Sequence, residues 1–481
     1  MKKRVSWLVV MSTLVFGLSA CAVVEGISGL MSPLAAPTPA QSTPSPRPTL
    51  FEPAPPLPGP PPKADSWEDL GSPDCPSSGS ANGDYREAVN FFDPFSVFDI
   101  LHITNPQDFG YPKPVAGTAD VGLLTVTPNS FTGAGPMAGV VAYCYATGQA
   151  LWSQNYPEYG NHYFSDLITL SNGVDRVAVA VALGGMHDSS GTTLWTLDAR
   201  TGAIVSSATY DDYAVPFAMA AQTIVIHTIT QGPLNYLVRG YQVDDLSVQV
   251  WQHYSTTGTK TSTIGQWVLV SGGYIEITDG SRAGFGSDFG GEYKQIGGVL
   301  FRKTNCDSVH DCYQQYDVAT RSVVGNSPMV VDRSASIVVA EGMLVADCGS
   351  LQGYEICGYR LSDGREVWKV SVRSRPNVRG PIGQYVLITD RDSFLVQVSN
   401  GQNQLPSPSE YLFNLEWGPT ILYKWDDSTI TAYDGSGTLQ ELWTVPKPDT
   451  ESPSPVTGVM ISSGHLIHIG SDGQVWVAHP Q

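Results

Sequence analysis

Val140-Val141-Ala142-Tyr143-Cys144-Tyr145-Ala146-Thr147-Gly148, running on through Gln149-Ala150-Leu151 to Trp152, reads as an apolar strand, a glycine turn and a second strand carrying an aromatic. The unit returns at Leu194-Trp195-Thr196-Leu197-Asp198-Ala199-Arg200-Thr201-Gly202, at Gly240-Tyr241-Gln242-Val243-Asp244 leading to Trp251, and at Tyr316-Asp317-Val318-Ala319-Thr320. Further copies stand at Gly358-Tyr359-Arg360-Leu361-Ser362-Asp363-Gly364 leading to Trp368, at Phe394-Leu395-Val396-Gln397-Val398-Ser399-Asn400-Gly401, and at Ile430-Thr431-Ala432-Tyr433-Asp434 leading to Trp443. An eighth, with strands near Val456–Ile461, His465–Ile469 and Gln474–Ala478, runs into the C-terminus.

Most intervals are about 35 to 54 residues, with one longer gap before Tyr316, and each leaves room for four short strands with no helical pattern between them. This is the period of a propeller blade, so the fold is read as an all-β propeller of eight four-stranded blades, with seven as the alternative. Trp152, Trp251 and Trp368 each follow a turn residue by four positions and are read as packing between blades in preference to stacking on a ligand. The eighth unit offers only three strands. Segment 84–104, with Ser96-Val97-Phe98-Asp99-Ile100-Leu101 as its most strand-like run, is expected to supply the fourth and so tie both ends of the domain together.

The Asp-Ala-Arg-Thr-Gly at 198–202 and the Thr-Gly-x-x-x-Trp at 147–152 resemble the tryptophan-docking repeat of quinoprotein-dehydrogenase-like propellers, Ala-x-Asp-x-x-Thr-Gly-x-x-x-Trp. The resemblance covers residues 113 to 480. It departs from the pattern at Ser206, where the second repeat would carry Trp, and at Arg321, where the fourth would carry Gly. It implies the fold more than an activity. Many of those enzymes hold pyrroloquinoline quinone against a disulfide between adjacent cysteines and use an Asp base with calcium held by Glu, Asn and Asp. No two cysteines are adjacent here, so no catalytic or metal-ligating residue is assigned, and quinone and calcium belong only to the alternative of an extracytoplasmic dehydrogenase of sugars or alcohols. Non-catalytic relatives include a lipoprotein subunit of the outer-membrane β-barrel assembly machine, which this chain resembles more, although its stalk is longer.

The N-terminus places that reading in a compartment. Lys2-Lys3-Arg4, an apolar stretch from Trp7 to Leu18, and Leu18-Ser19-Ala20-Cys21 follow the order of an export signal that ends on cysteine, and resemble a bacterial lipobox. Residues 1–20 are therefore read as a lipoprotein signal peptide and Cys21 as the lipidated residue, which anchors the chain to the outer face of the membrane. From Ser32 to Asp74 fourteen prolines exclude helix and sheet and favour extended polyproline II at about 3.1 Å per residue, so residues 21–74 are read as a disordered tether and 75–481 as the propeller.

Six further cysteines suit an oxidising setting. Fifteen pairings are open to them, and sequence proximity favours Cys306 with Cys312 and Cys348 with Cys357, leaving Cys75 for Cys144. Their spacing fits no zinc site. Loss of residues 1–20 removes three cations and no acid, lowering the formal net charge from −19 to −22. Such a surface repels nucleic acid and anionic headgroups, so neither is expected as a partner beyond the membrane held through the Cys21 lipid.

Other constellations read as structure. His465 and His468, three apart on a strand, face opposite ways and are taken as core-edge or surface histidines; Gly284–Gly291 reads as a mobile insertion. Asp390, Asp392, Asp426 and Asp427 sit where hairpins need turn carboxylates, so no metal is assigned to them. The sum is a non-catalytic envelope lipoprotein whose propeller binds or scaffolds a protein partner.

Overall fold

The computed structural model describes residues 67–71, 74–77 and 85–481, apart from internal stretches of which the longest are 128–138, 156–163, 184–190, 256–262, 285–291, 404–414 and 449–457. It is an all-β propeller. Among the described residues nine antiparallel sheets follow one another along the chain, and they are called blades 1 to 9: 113–155, 164–210, 213–255, 263–284, 292–332, 337–372, 377–397, 415–446 and 458–480. Within a blade, consecutive strands pair in order, as neighbours joined by short turns must.

Why the sheets form a ring follows from burial. The middle strands have apolar residues on both faces; Gly139–Cys144 and His465–Ile469 are buried throughout. A sheet with two apolar faces must be covered twice. Each blade shares one apolar layer with the next: Leu123, Val140 and Ala142 of blade 1 pack on Val177, Val179 and Leu197 of blade 2. Corresponding layers join every later pair, and Ile467, Val475 and Val477 of blade 9 return to Leu124, Val141 and Tyr143 of blade 1. First strands approach one another across blades, as Phe164–Ser171 does Tyr213–Ala220 and Ile337–Ala340 does Asn377–Ile382, so they line the axis. Last strands form the rim.

Nine sheets correct the expected count of eight, or of seven. Blade 4 lies in the longer gap before Tyr316, and its strands Thr263–Ile264, Trp267–Val270, Gly273–Glu276 and Arg282–Gly284 run to only two to four residues, the last without an aromatic. So short a sheet leaves too little periodicity to read.

The eighth sequence unit is the ninth blade, with strands Gly458–Ser462, His465–Ile469 and Gln474–Pro480. Its fourth strand does come from segment 84–104, but from Val89–Phe91, in register Val89↔Pro480 and Phe91↔Ala478. The run Ser96–Leu101 is not that strand. Phe95–Ser96 makes a two-residue pairing, then Val97–Ile100 turns into a short helix whose N-cap Ser96 accepts from the Asp99 N–H at 3.2 Å. Apolar residues at 97, 98, 100 and 101 have helical spacing, and they bury Val97, Phe98 and Leu101 in the seam between blades 9 and 1. Within the stretch read as tether, Trp67–Asp69 also forms a strand, adding antiparallel to the rim edge of blade 1 in register Trp67↔Gln154 and Asp69↔Trp152.

Removing residues 84–104 from the propeller should therefore markedly lower its thermal midpoint, and Phe92→Ala alone should cost roughly 2 kcal/mol, about half that of a fully buried ring. Calorimetry checks both; an unchanged midpoint would mean that the ring closes without this segment.

Candidate functional site

The aromatics come first, because a free aromatic face is what a ligand would use. Trp152 donates its indole N–H to the Ala199 carbonyl at 2.9 Å, Trp251 to Ile277 at 2.8 Å and Trp368 to Val398 at 2.6 Å. In each case a rim-strand tryptophan bonds to the turn of the following blade. Trp443, not singled out from the sequence, does the same to Tyr85 at 2.7 Å. Directly opposite each ring within its own sheet stands Ala142, Gly240, Gly358 or Ala432, followed by a register shift at the next residue, always a tyrosine. A bulge at that point turns the indole across the gap. Space is closed on the far side too. A Cβ at Gly280 would lie 2.4 Å from Trp251, and one at Gly401 2.8 Å from Trp368, and both glycines have positive φ. The rings are buried between blades.

Four of the nine joints carry this tryptophan, and two of the others show what can replace it. Where Ser206 replaces tryptophan, blade 3 sends its own residue back: Leu246 is fully buried in the shared layer and its N–H donates to Ser206 Oγ at 3.0 Å. At the seam, Phe92 takes the tryptophan's place, since a Cβ on Gly148 would lie 2.6 Å from it. The signal for most of these positions was present as a small residue followed by tyrosine, but nothing in Phe92 or Leu246 distinguishes them before folding.

The cysteines staple the same framework. Cys75 bonds Cys144, Cys306 bonds Cys312 and Cys348 bonds Cys357, with Cα separations of 5.5, 5.3 and 5.8 Å. Cys21 and Arg321 lie outside the described residues.

Polar side chains gather at the joint between blades 5 and 6. His310 has Asp307 Oδ2 2.8 Å from Nδ1 and the Gly349 carbonyl 3.1 Å from Nε2, an acceptor at each ring nitrogen, which favours the protonated ring. The Asp307 hydrogen bond, partly opposed by desolvation, raises its pKa. Beside it, buried Asp311 holds Lys303 at 3.1 Å and Arg333 at 3.2 Å. With an acceptor at each ring nitrogen, His310 links the two sheets. Hairpin carboxylates are committed likewise: Asp426 accepts from the N–H groups of Ser428 and Thr429 at 2.9 and 2.7 Å, which holds its pKa down at about 2. Asp390, Asp392 and Asp427, and positions 285–291 of the glycine-rich run, lie outside the described residues; Gly284 ends the last strand of blade 4. Among the described residues no three His, Cys, Asp or Glu side chains come together as metal ligands do.

His465 and His468 face opposite ways, but both are buried core residues, not edge or surface ones. His465 stacks on Tyr145 of blade 1, with ring centroids 3.8 Å apart, and Tyr145 shares a 3.2 Å hydrogen bond with Ser462. His468 packs on Trp476, and neither of its ring nitrogens has a hydrogen-bond partner among the described residues. Burial lowers both pKa values to about 4. An exposed imidazole in the unfolded chain gains its proton near 6.5, while the folded one resists until about 4, so stability is lost as pH falls through that window. The cost is at most on the order of 3 kcal/mol per histidine. Thermal midpoints measured from pH 7 to 4 should fall, and His465→Phe with His468→Phe should flatten that slope; an identical slope in the double variant would refute the assignment. Because His468 leaves buried polar atoms unsatisfied, His468→Phe alone should raise the midpoint at pH 7.

Exposed apolar groups concentrate elsewhere. Four of the eight large apolar side chains left exposed among the described residues, Ile204, Val248, Val250 and Tyr254, lie on or beside the rim strands of blades 2 and 3.

The sequence matches no protein-family pattern and no curated protein. Similar solved structures include the Dos1 propeller, at 11% identity over 81% of this chain and 95% of that one, with a TM-score of 0.40. A eukaryotic initiation factor is 11% identical over 69% of this chain and 87% of that one, with a TM-score of 0.43. Dihydro-heme d1 dehydrogenase NirN is 13% identical over 79% and 78%, with a TM-score of 0.33.

Proposed function

We propose that the chain is a lipoprotein of the cell envelope, anchored through Cys21 at the extracytoplasmic face, whose propeller is a non-catalytic binding or scaffolding module for a protein partner. The observation that carries this reading is the division of labour among side chains. Buried aromatics, histidines and carboxylates are engaged in holding blades together, while exposed apolar groups gather on the rim of two neighbouring blades. A contiguous apolar patch on a soluble surface marks an interaction site. The acidic balance of the chain argues against nucleic acid there.

The quinone of the dehydrogenase alternative would need a cradle. All six cysteines after Cys21 are used in pairs separated by 69, 6 and 9 positions, so no disulfide of adjacent cysteines is available to lie against it. No step of catalysis is derived from it.

Cys21→Ser should leave the signal peptide uncleaved by the lipoprotein route, abolish labelling by radioactive palmitate and change the extraction of the protein from membranes; unchanged labelling would overturn the anchor. Photo-cross-linking in intact cells should yield a discrete protein adduct of the propeller. Saturable quinone binding with calcium-dependent oxidation of a sugar or alcohol by the purified domain would overturn the scaffold reading.

A further inference from the structure

Open rim edges are a hazard for any propeller, because each last strand presents unpaired N–H and C=O groups to whatever strand passes. Most edges of this protein are protected in recognisable ways. Blade 1 is covered by Trp67–Asp69, and the third strand of blade 9 by Val89–Phe91. Blade 4 ends with Arg282, blade 5 carries Pro328, blade 6 carries Glu366 and Lys369, blade 8 carries Glu441 and Pro446, and in blade 7 Val396 bridges to Asn403. Val89–Phe91, the outer edge of blade 9, also lacks charge and proline but is only three residues long, and the two longer exceptions are adjacent. Ile204–Tyr210 and Gln249–Ser255 contain no charge and no proline, and among the described residues no strand pairs with their outer edges.

Of these two, Gln249–Ser255 has the side chains of a recognition strand. Val250 and Tyr254 are 41% and 58% exposed, and Val248 just ahead of the strand is 39% exposed; all three share one parity, opposite to Trp251, which is buried towards blade 4. Ser206 in place of tryptophan belongs to the same joint, where Leu246 is drawn inward and leaves Val248 and Val250 outside. At the N-terminal end of the strand, Asp244 takes Arg176 at 2.8 Å, but exposed Asp245 meets only Ser247 and no cation among the described residues.

We propose that the rim edge Gln249–Ser255 captures an extended segment of a partner protein by antiparallel strand addition, the segment carrying apolar side chains at alternate positions and a lysine or arginine at its C-terminal end. The chain performs this addition on itself two blades away: Trp67–Asp69 lies antiparallel along the rim strand Ala150–Asn155, with Asp69 opposite the docking Trp152. Trp251 is the counterpart of Trp152, so a strand added in the same sense would end beside Gln249 and Asp245. Backbone hydrogen bonds would supply affinity, Val250 and Tyr254 the choice of alternate residues, and Asp245 the choice of end. The inference rests on the scaffold reading and names its surface.

The probe is the synthetic peptide acetyl-Thr-Val-Thr-Val-Thr-Lys-Lys-amide, titrated into the lipidated full chain in detergent and followed by hydrogen exchange. Protection should appear at residues 249–255. Val250→Lys with Tyr254→Lys, both on exposed side chains, should weaken binding at least tenfold at an unchanged thermal midpoint, whereas Val367→Lys on blade 6 should alter it less than twofold. Moving both lysines to the peptide's N-terminal end should weaken it several-fold. Protection elsewhere, none at all, or equal binding by the double variant would overturn the proposal, as would a dimer of the unliganded chain that the double variant dissociates, since the edge would then belong to a second copy. If the cellular cross-linked adduct survives in the double variant, this surface is wrong and the scaffold reading stands; if the unaltered chain yields no adduct, the scaffold reading itself fails.

Discussion

At five of the nine joints the blades are located by one recurring contact, the insertion of a rim-strand aromatic against the following blade. The contact has three parts: a small residue opposite the ring, a bulge that aims it across the gap, and a turn glycine or carbonyl that receives it. Apolar layers alone would let neighbouring sheets slide, since dispersion and burial have no direction. An indole N–H that must reach one carbonyl fixes the offset between sheets, and the close approach to glycine fixes their distance. Fixed at these joints and joined by the apolar layers at all of them, the sheets bring the ninth back to the first.

Closure is where the ring differs from an open stack. The C-terminal blade lacks a rim strand, and Val89–Phe91 supplies it with Phe92 in the role held elsewhere by tryptophan. Both ends of the domain therefore belong to one sheet, and opening any one joint must strain the others. The disulfide Cys75–Cys144 ties the entering chain to blade 1 on its other face, in the layer shared with blade 2. At the seam also lies buried His465, while His468 faces blade 8 on the other side of the same strand; each neutral ring is compatible with its apolar layer only while it stays unprotonated. Acid sensitivity is thus located on both faces of the closing blade.

Polar side chains among the described residues join strands and blades. Asp426 caps its hairpin, Asp311 neutralises Lys303 and Arg333, and His310 spans two blades with an acceptor at each ring nitrogen. A propeller built this way has rigid walls and offers partners its loops and its rim. The uncharged edges of blades 2 and 3 stand out against that background because the same chain covers or charges its other long edges.

What the sequence determined by itself is whatever depends on local pattern. Alternating apolar strands, turn glycines and spaced tryptophans established the all-β repeat; proximity within hairpins suggested two cysteine pairs, and strand parity placed His465 and His468 on opposite faces. The length of the closing segment could be bounded because three strands were one short. Tertiary structure alone decided the rest. Blade 4 is recognisable only by its neighbours, since strands of two to four residues carry no readable period. Val97–Ile100 is helical because the seam rewards burying Val97, Phe98 and Leu101 on one side, and Phe92 acquires its role only when Gly148, far along the chain, arrives against it. Leu246 fills the space left by Ser206 from the opposite sheet. These are complementarities between residues distant in sequence, and no local period records them.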